Sequence, residues 1–205
     1  MTRPAAPRRR GRPGHDQDAV LAAAVRLFNE RGYDATSMFD IAESLGITKS
    51  SVYHHISGKE QLLQMAMDRA LDGLFEAADE VRALDLPAPE RLERLVRRSV
   101  LVLAERFEYV TVLLRVRGNT EAEQHALARR RDFDTIVTDL VKQAQAEGGV
   151  RPDIDPATVA RLILGMVNSL TEWYRPRSGG AEAIAGALTT IAFEGLRTGE
   201  GLRTE

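Results

Sequence analysis

Apolar residues recur along this chain at helical spacing, and no stretch of useful length alternates as a β-strand would. From Asp16 onward, Val20, Ala23, Ala24, Leu27 and Phe28 make a first stripe, which Gly32 closes. Met38, Ile41, Ala42 and Leu45 share one face of a short second helix. Gly46 follows where the chain must turn, a position that favours a residue free to adopt positive φ. Ile47 plugs the gap to a third helix, which Thr48 caps by accepting from a free N–H group. Val52 and Ile56 point back to the core, leaving Lys49, Ser50, Tyr53 and His54 outward. Ser57 to Glu60 fits a capping box and opens a fourth helix, which runs through Leu62, Leu63, Met67, Leu71, Leu74 and Phe75 towards Ala83. Leu86-Pro87-Ala88-Pro89 breaks the pattern. Five further amphipathic helices are predicted over 90–106, Tyr109 to Val116, 120–147, 156–174 and 180–198. Gly118-Asn119, Gly148-Gly149 and the loop from Arg151 to Pro156 separate them. The pattern predicts an all-α chain of nine helices without internal repeats.

Composition narrows the chemistry. The 205 residues suffice for one or two domains with a real core. The chain has no cysteine, which excludes disulfides, thiol chemistry and cysteine-based zinc sites. No apolar run reaches the length of a membrane span, and the basic, proline-rich start is unlike a signal peptide. A cytoplasmic protein with no membrane partner is expected. The net charge of −2 is unevenly spread. Residues 1–15 carry Arg3, Arg8, Arg9, Arg10 and Arg12 and no acidic residue, so they form a basic tail on a mildly acidic body. Proline and glycine keep regular structure out of that tail. Within it, Arg10-Gly11-Arg12-Pro13 resembles the core of an AT-hook, a peptide that lies in the minor groove of AT-rich DNA. The alternative is a solubilising tail.

The stretch from Ser37 to Leu63 has the layout of a helix-turn-helix: a short apolar-periodic helix, a turn with Gly46, and a second helix rich in hydroxyls. A helix placed this way reads the major groove. This segment resembles the DNA-binding domain of TetR-family transcriptional regulators. The matching residues are Leu27-Phe28, Gly32-Tyr33, Thr36, Asp40-Ile41-Ala42, Leu45-Gly46-Ile47, Lys49, Tyr53-His54-His55 and Lys59-Glu60. Two positions depart from the family pattern. Ile56 replaces the usual Phe, conservatively, and Phe39 puts an apolar ring where the family usually has a polar or charged residue. Beside the flexible basic tail that composition marks over 1–15, the resemblance implies a three-helix helix-turn-helix domain over 16–58 and a helical ligand-binding and dimerisation domain over 59–205.

Phosphate contacts should supply affinity and a few base contacts specificity. The phosphate candidates are Thr36 and Ser37 at the start of the second helix, Tyr53 and His54 on the reading helix, and Lys59 at the start of the fourth. Helix N-termini suit phosphates, and the resemblance supports Tyr53, His54 and Lys59. Thr48, Lys49, Ser50 and Ser51 are the base-reading candidates, with Lys49 able to donate to guanine. Other readings stand beside these. Thr48 is a cap first, Ser51 can lean toward the second helix, and His55 can pack inside the domain.

For the second domain, Phe75, Phe107, Leu113, Met166, Leu170 and Trp173 are apolar candidates for lining a pocket, although core packing explains most such residues. Arg115, Arg117, Asn168, Arg175 and Arg177 are its polar candidates. The stretches from Leu114 to Asn119 and from Gly165 to Pro176 resemble TetR-family members that control acid catabolism, several of which sense acyl-CoA thioesters. Such a ligand joins a phosphate-rich head to an apolar acyl group, which suits arginine beside an apolar tunnel. An uncharged lipophilic effector is the alternative, with the arginines then in surface salt bridges. The last helix is dense in small residues (Ala181, Ala185, Gly186, Ala187, Ala192 and Gly195), with Ile184, Leu188 and Ile191 as anchors. Helices eight and nine are therefore expected to pair two copies, so that two reading helices meet a palindromic operator. An enzyme finds no support: no two of the four histidines stand at i, i+4, and no nucleophile elbow or phosphate-cradling loop is present. No catalytic residue, cofactor or metal site is expected. A sequence-blind architectural DNA binder would not need the large second domain.

Overall fold

The computed structural model describes residues 17–54, 56–176 and 180–195. Arg10, Arg12, His55 and Arg177 lie outside the described residues. Every regular element of three residues or more among the described residues is a helix: α1 (Gln17–Arg31), α2 (Met38–Leu45), α3 (Lys49–Tyr53), α4 (Lys59–Arg82), α5 (Ala88–Glu105), α6 (Phe107–Arg115), α7 (Glu121–Ala146), α8 (Pro156–Asn168), α9 (Leu170–Trp173) and α10 (Ala181–Phe193). The chain divides into two compact units, Met1–Leu62 and Leu63–Glu205.

In the first unit the apolar stripes meet as their spacing requires. Val20, Leu21, Ala24 and Val25 of α1, Ile41 and Ala42 of α2, Val52 of α3 and Ile56 are all buried. Removing each of the Val, Leu and Ile side chains from water stabilises this small unit by about 1.5–3 kcal/mol before conformational entropy is set against it. Gly46 ends α2 at φ 64°, and its N–H bonds back to carbonyls of that helix. That left-handed turn aims the chain into α3. Thr48 then caps α3 by accepting from Ser51 N at 3.2 Å.

In the second unit α5 is the central helix, packing on α7, α8 and α10, while α7 also packs on α8. Leu92, Leu95, Val96, Val100 and Leu103 give α5 its buried face. Charged side chains tie α4 to its neighbours. Arg129 of α7 donates to Asp68 and Asp72, each at 2.7 Å, and sits 5.3 Å from the Phe75 ring. Arg106, at the corner between α5 and α6, donates to the Arg69 carbonyl at 2.6 Å and to Glu76 at 3.0 Å. It reaches α4 because Gly73 has no side chain. A Cβ there would stand 2.7 Å from the guanidinium and 2.9 Å from Val102.

Three elements differ from their expected form. The helix expected over 156–174 is interrupted at Ser169, whose hydroxyl donates to the Met166 carbonyl at 2.7 Å, giving the separate turn α9. The last helix ends at Phe193, and Gly195, with φ 84°, lies beyond it. Ser57 bonds to the Gln61 side chain, not to Glu60.

Candidate nucleic-acid interface and effector region

Ser37, in extended conformation, is the N-cap of α2. Its hydroxyl accepts from Asp40 N at 3.2 Å, and its own N–H donates to the Asp40 carboxylate at 2.7 Å. This is a complete capping box, which the Ser-x-x-Asp spacing permits but sequence reasoning missed. Donation from the Ser37 hydroxyl and N–H holds the Asp40 carboxyl below the usual carboxylate range, with Arg31, 3.6 Å away, adding to the effect. The helix end expected to meet a phosphate through Ser37 therefore already holds an internal anion. Thr36 is buried, and its hydroxyl donates to the Gly32 carbonyl at 2.8 Å. That hydroxyl fastens the α1–α2 turn from inside and is not presented to solvent.

The exposed face of α3 is the one expected. Lys49, Ser50, Tyr53 and His54 are exposed, while Val52 is buried beneath them. Lys49 Nζ lies 5.7 Å from the Tyr53 ring centre, a cation–π pair across one turn. Thr48 shares a hydrogen with Ser51 Oγ at 2.9 Å, so both hydroxyls serve the cap. Lys59 Nζ donates to the Tyr33 carbonyl at 2.8 Å and sits 4.2 Å from the centre of that ring. The Tyr33 ring itself meets Phe28 edge-on at 5.3 Å. An ammonium has three donors, so one bond to Tyr33 leaves room for a phosphate.

The expected effector residues are more scattered. Phe75 packs edge-on against Phe133 at 5.9 Å, and Phe107 against Tyr174 at 6.0 Å. Leu113 and Leu170 are buried, whereas Trp173 is 57% exposed. Arg115, Arg117 and Arg175 are exposed, and Arg175 donates to the Tyr174 carbonyl at 2.9 Å. Asn168 is half-buried, with its carbonyl accepting from the Thr171 hydroxyl at 2.9 Å. The loop bearing Arg117 is gripped by Glu123, a buried carboxylate that accepts from the N–H groups of Arg117, Gly118 and Asn119 at 2.7–3.0 Å. Burial pushes its carboxyl up, but the three donors outweigh that and hold it below the ordinary value. Sequence reasoning missed Glu123, although Thr120-x-x-Glu123 has cap spacing.

Cavities lie among the described residues of this unit. One, of about 270 Å³, is lined by Ala78, Val81, Arg82, Arg91, Leu95, Ile136, Asp139, Leu140 and Gln143. Another, of about 360 Å³, lies among Leu92, Val150, Ile154, Val159, Leu162, Met166, Ile191 and Phe193. Met166 alone of the expected effector residues lines either of them. No helix among the described residues is long and apolar enough to cross a membrane.

Known proteins share this arrangement. The family described as "Bacterial regulatory proteins, tetR family" matches residues 20–66, and the "Tetracyclin repressor-like, C-terminal domain" matches residues 85–196. The transcriptional repressor KstR2 of Rhodococcus jostii is 30% identical, over 96% of this chain and 98% of its own length. A solved TetR regulator from Streptomyces coelicolor A3 is 51% identical, with a TM-score of 0.83 over 87% of this chain and 91% of that one. AibR, solved in complex with isovaleryl coenzyme A and operator DNA, is 31% identical, with a TM-score of 0.73 over 86% of this chain and 97% of that one. With the capped α2, the Gly46 turn and the exposed face of α3, these matches establish that the chain belongs to the TetR family of helix-turn-helix, DNA-binding transcriptional regulators.

Proposed function

We propose that the protein acts in the cytoplasm as a homodimer on a palindromic operator and leaves it when an acyl-CoA thioester binds residues 59–205. The likeness to AibR, which was captured with both isovaleryl coenzyme A and operator DNA, carries this reading. The chemistry is compatible. Arg115, Arg117 and Arg175 are exposed residues near the corner where α6 packs on α9 and Phe107 meets Tyr174 edge-on, which brings cationic side chains near apolar ones. Lys49, Ser50, Tyr53 and His54 face the operator, with Thr48 and Ser37 mainly shaping the two helices.

The pairing surface is formed by α8 and α10. Leu162 is 62% exposed and Ile191 is 43% exposed, and both border the apolar groove between these helices. Ala183, Ala187 and Ile191 form an exposed stripe at i, i+4 spacing, small enough for a partner helix to approach closely. Ala185 and Leu188 are buried within the protomer and serve its own core.

Recovering genomic DNA bound by the protein tests the reading. A two-fold symmetric motif is expected, and isovaleryl-CoA should release that DNA while free coenzyme A does not. Release only by an uncharged lipophile would reject the thioester and leave the arginines structural.

A further inference from the structure

In the first unit the large apolar side chains standing open to solvent among the described residues are Tyr53, 45% exposed, and Phe39, 61% exposed. Tyr53 lies on the reading helix. Phe39 lies in the first turn of α2, two residues after the N-cap Ser37. Its neighbour Met38 already fills the core position of that turn. In a helix-turn-helix the first of the two helices crosses the DNA backbone while the second enters the major groove. Here that crossing helix begins with an ionised carboxylate, Asp40, locked into the capping box. That carboxylate, offset in part by Arg31 3.6 Å away, weakens this end as a phosphate clamp, whereas the apolar ring beside it is indifferent to the charge. Glu43 is exposed one turn further along the same face, which confines any favourable contact to the first turn.

We infer that Phe39 is a DNA-contact residue whose ring packs on the deoxyribose edge of the operator backbone. It supplies a share of affinity that does not depend on salt. Apolar burial releases no counterions, so it adds to binding without steepening the salt dependence that phosphate contacts impose. The inference rests on the DNA-binding reading above.

The test uses the full-length protein and its operator, with affinity measured across a range of salt concentrations. Phe39→Ala should weaken binding about tenfold at every salt concentration with an unchanged slope of log affinity against log salt. Phe39→Lys should recover affinity at low salt and steepen that slope by about two, one for each protomer of the proposed dimer. 4-Fluorophenylalanine placed at position 39 should show a shifted fluorine resonance when operator is added, a readout that needs no destabilising substitution. Phe39→Ala binding as tightly as the unaltered protein, a loss that disappears as salt rises, or an unmoved fluorine resonance would each overturn the inference. Failure of the unaltered protein to bind any DNA would instead sink the DNA-binding reading itself.

Discussion

Lys59 shows why one side chain's two roles must be separated by measurement. Its ammonium bonds the Tyr33 carbonyl and covers that ring, so Lys59→Ala removes an internal fastening together with any phosphate contact. The internal loss should appear as about 1 kcal/mol of stability in denaturant melts. The phosphate loss should appear as a salt slope lower by about two, one for each protomer of the proposed dimer, equally for all DNA sequences. Tyr53→Phe removes only a hydroxyl and keeps the ring beside Lys49, so it should weaken binding uniformly and by only a few-fold, roughly one lost hydrogen bond. A loss confined to one operator base pair would reject a phosphate role for either residue. Glu123 makes a prediction in pH. Its carboxyl is held below the ordinary glutamate value of 4.5, so its contribution is present above that value and is lost as pH falls through the lower folded value. Melting temperature should therefore drop in acid below 4.5 as the loop of Arg117, Gly118 and Asn119 lets go. Glu123→Gln should flatten that step and start from a lower melting temperature at neutral pH.

Helices were legible here because their cause is local. The stripe of Met38, Ile41 and Ala42, the Gly46 turn and the Thr48 cap are written in consecutive residues, and the structure places them as the spacing requires. What was not legible depends on partners distant in sequence. Arg129 meeting Asp68 and Asp72, or Arg106 crossing α4 at Gly73, leaves no periodic trace. The effector residues are hard to read from sequence for the same reason, since apolar spacing marks an inward face without saying whether a core or a cavity lies inside. Gly73 gives a sharp element-scale test. In a helix interior Ala is normally better than Gly by about 1 kcal/mol. At this position the new methyl would displace the Arg106 guanidinium, whose charged hydrogen bonds contribute about 1.5–3 kcal/mol each. Gly73→Ala should therefore destabilise the protein by about 1–2 kcal/mol in denaturant unfolding, against the propensity scale, and a stabilised variant would show that Arg106 contributes nothing there. For pairing, Leu162→Glu combined with Ile191→Glu should give monomers by light scattering with an unchanged helical spectrum, because both side chains are exposed within one protomer. Gly195 is unsuited to that test, since it lies beyond α10 at positive φ and a side chain there strains the helix end instead.

At the scale of the molecule, repression and its relief require that two binding events share one free-energy balance. α4 belongs to both compact units, with Lys59 to Leu62 in the first and the remainder in the second. Its middle is held by Arg129 on one side and by Arg106 and Tyr109 on the other. A ligand that alters those grips acts on the same helix that begins with Lys59. In the proposed dimer two reading helices must match the operator's helical repeat of about 34–36 Å, so a small change in their separation suffices to lose one half-site. An effector does this only by binding the DNA-free state more tightly, and the preference is reciprocal. Operator DNA must weaken the protein's affinity for the effector by the same factor by which the effector weakens its affinity for DNA, typically about 5–150-fold. Calorimetric titration of isovaleryl-CoA into the free dimer and into the dimer saturated with operator measures one factor, and anisotropy of labelled operator with and without the thioester measures the other. The two should agree. Arg129→Gln should bring both factors toward one by slackening α4, while each ligand alone still binds. Equal thioester affinity with and without operator would show that this ligand, even if it binds, is not the effector.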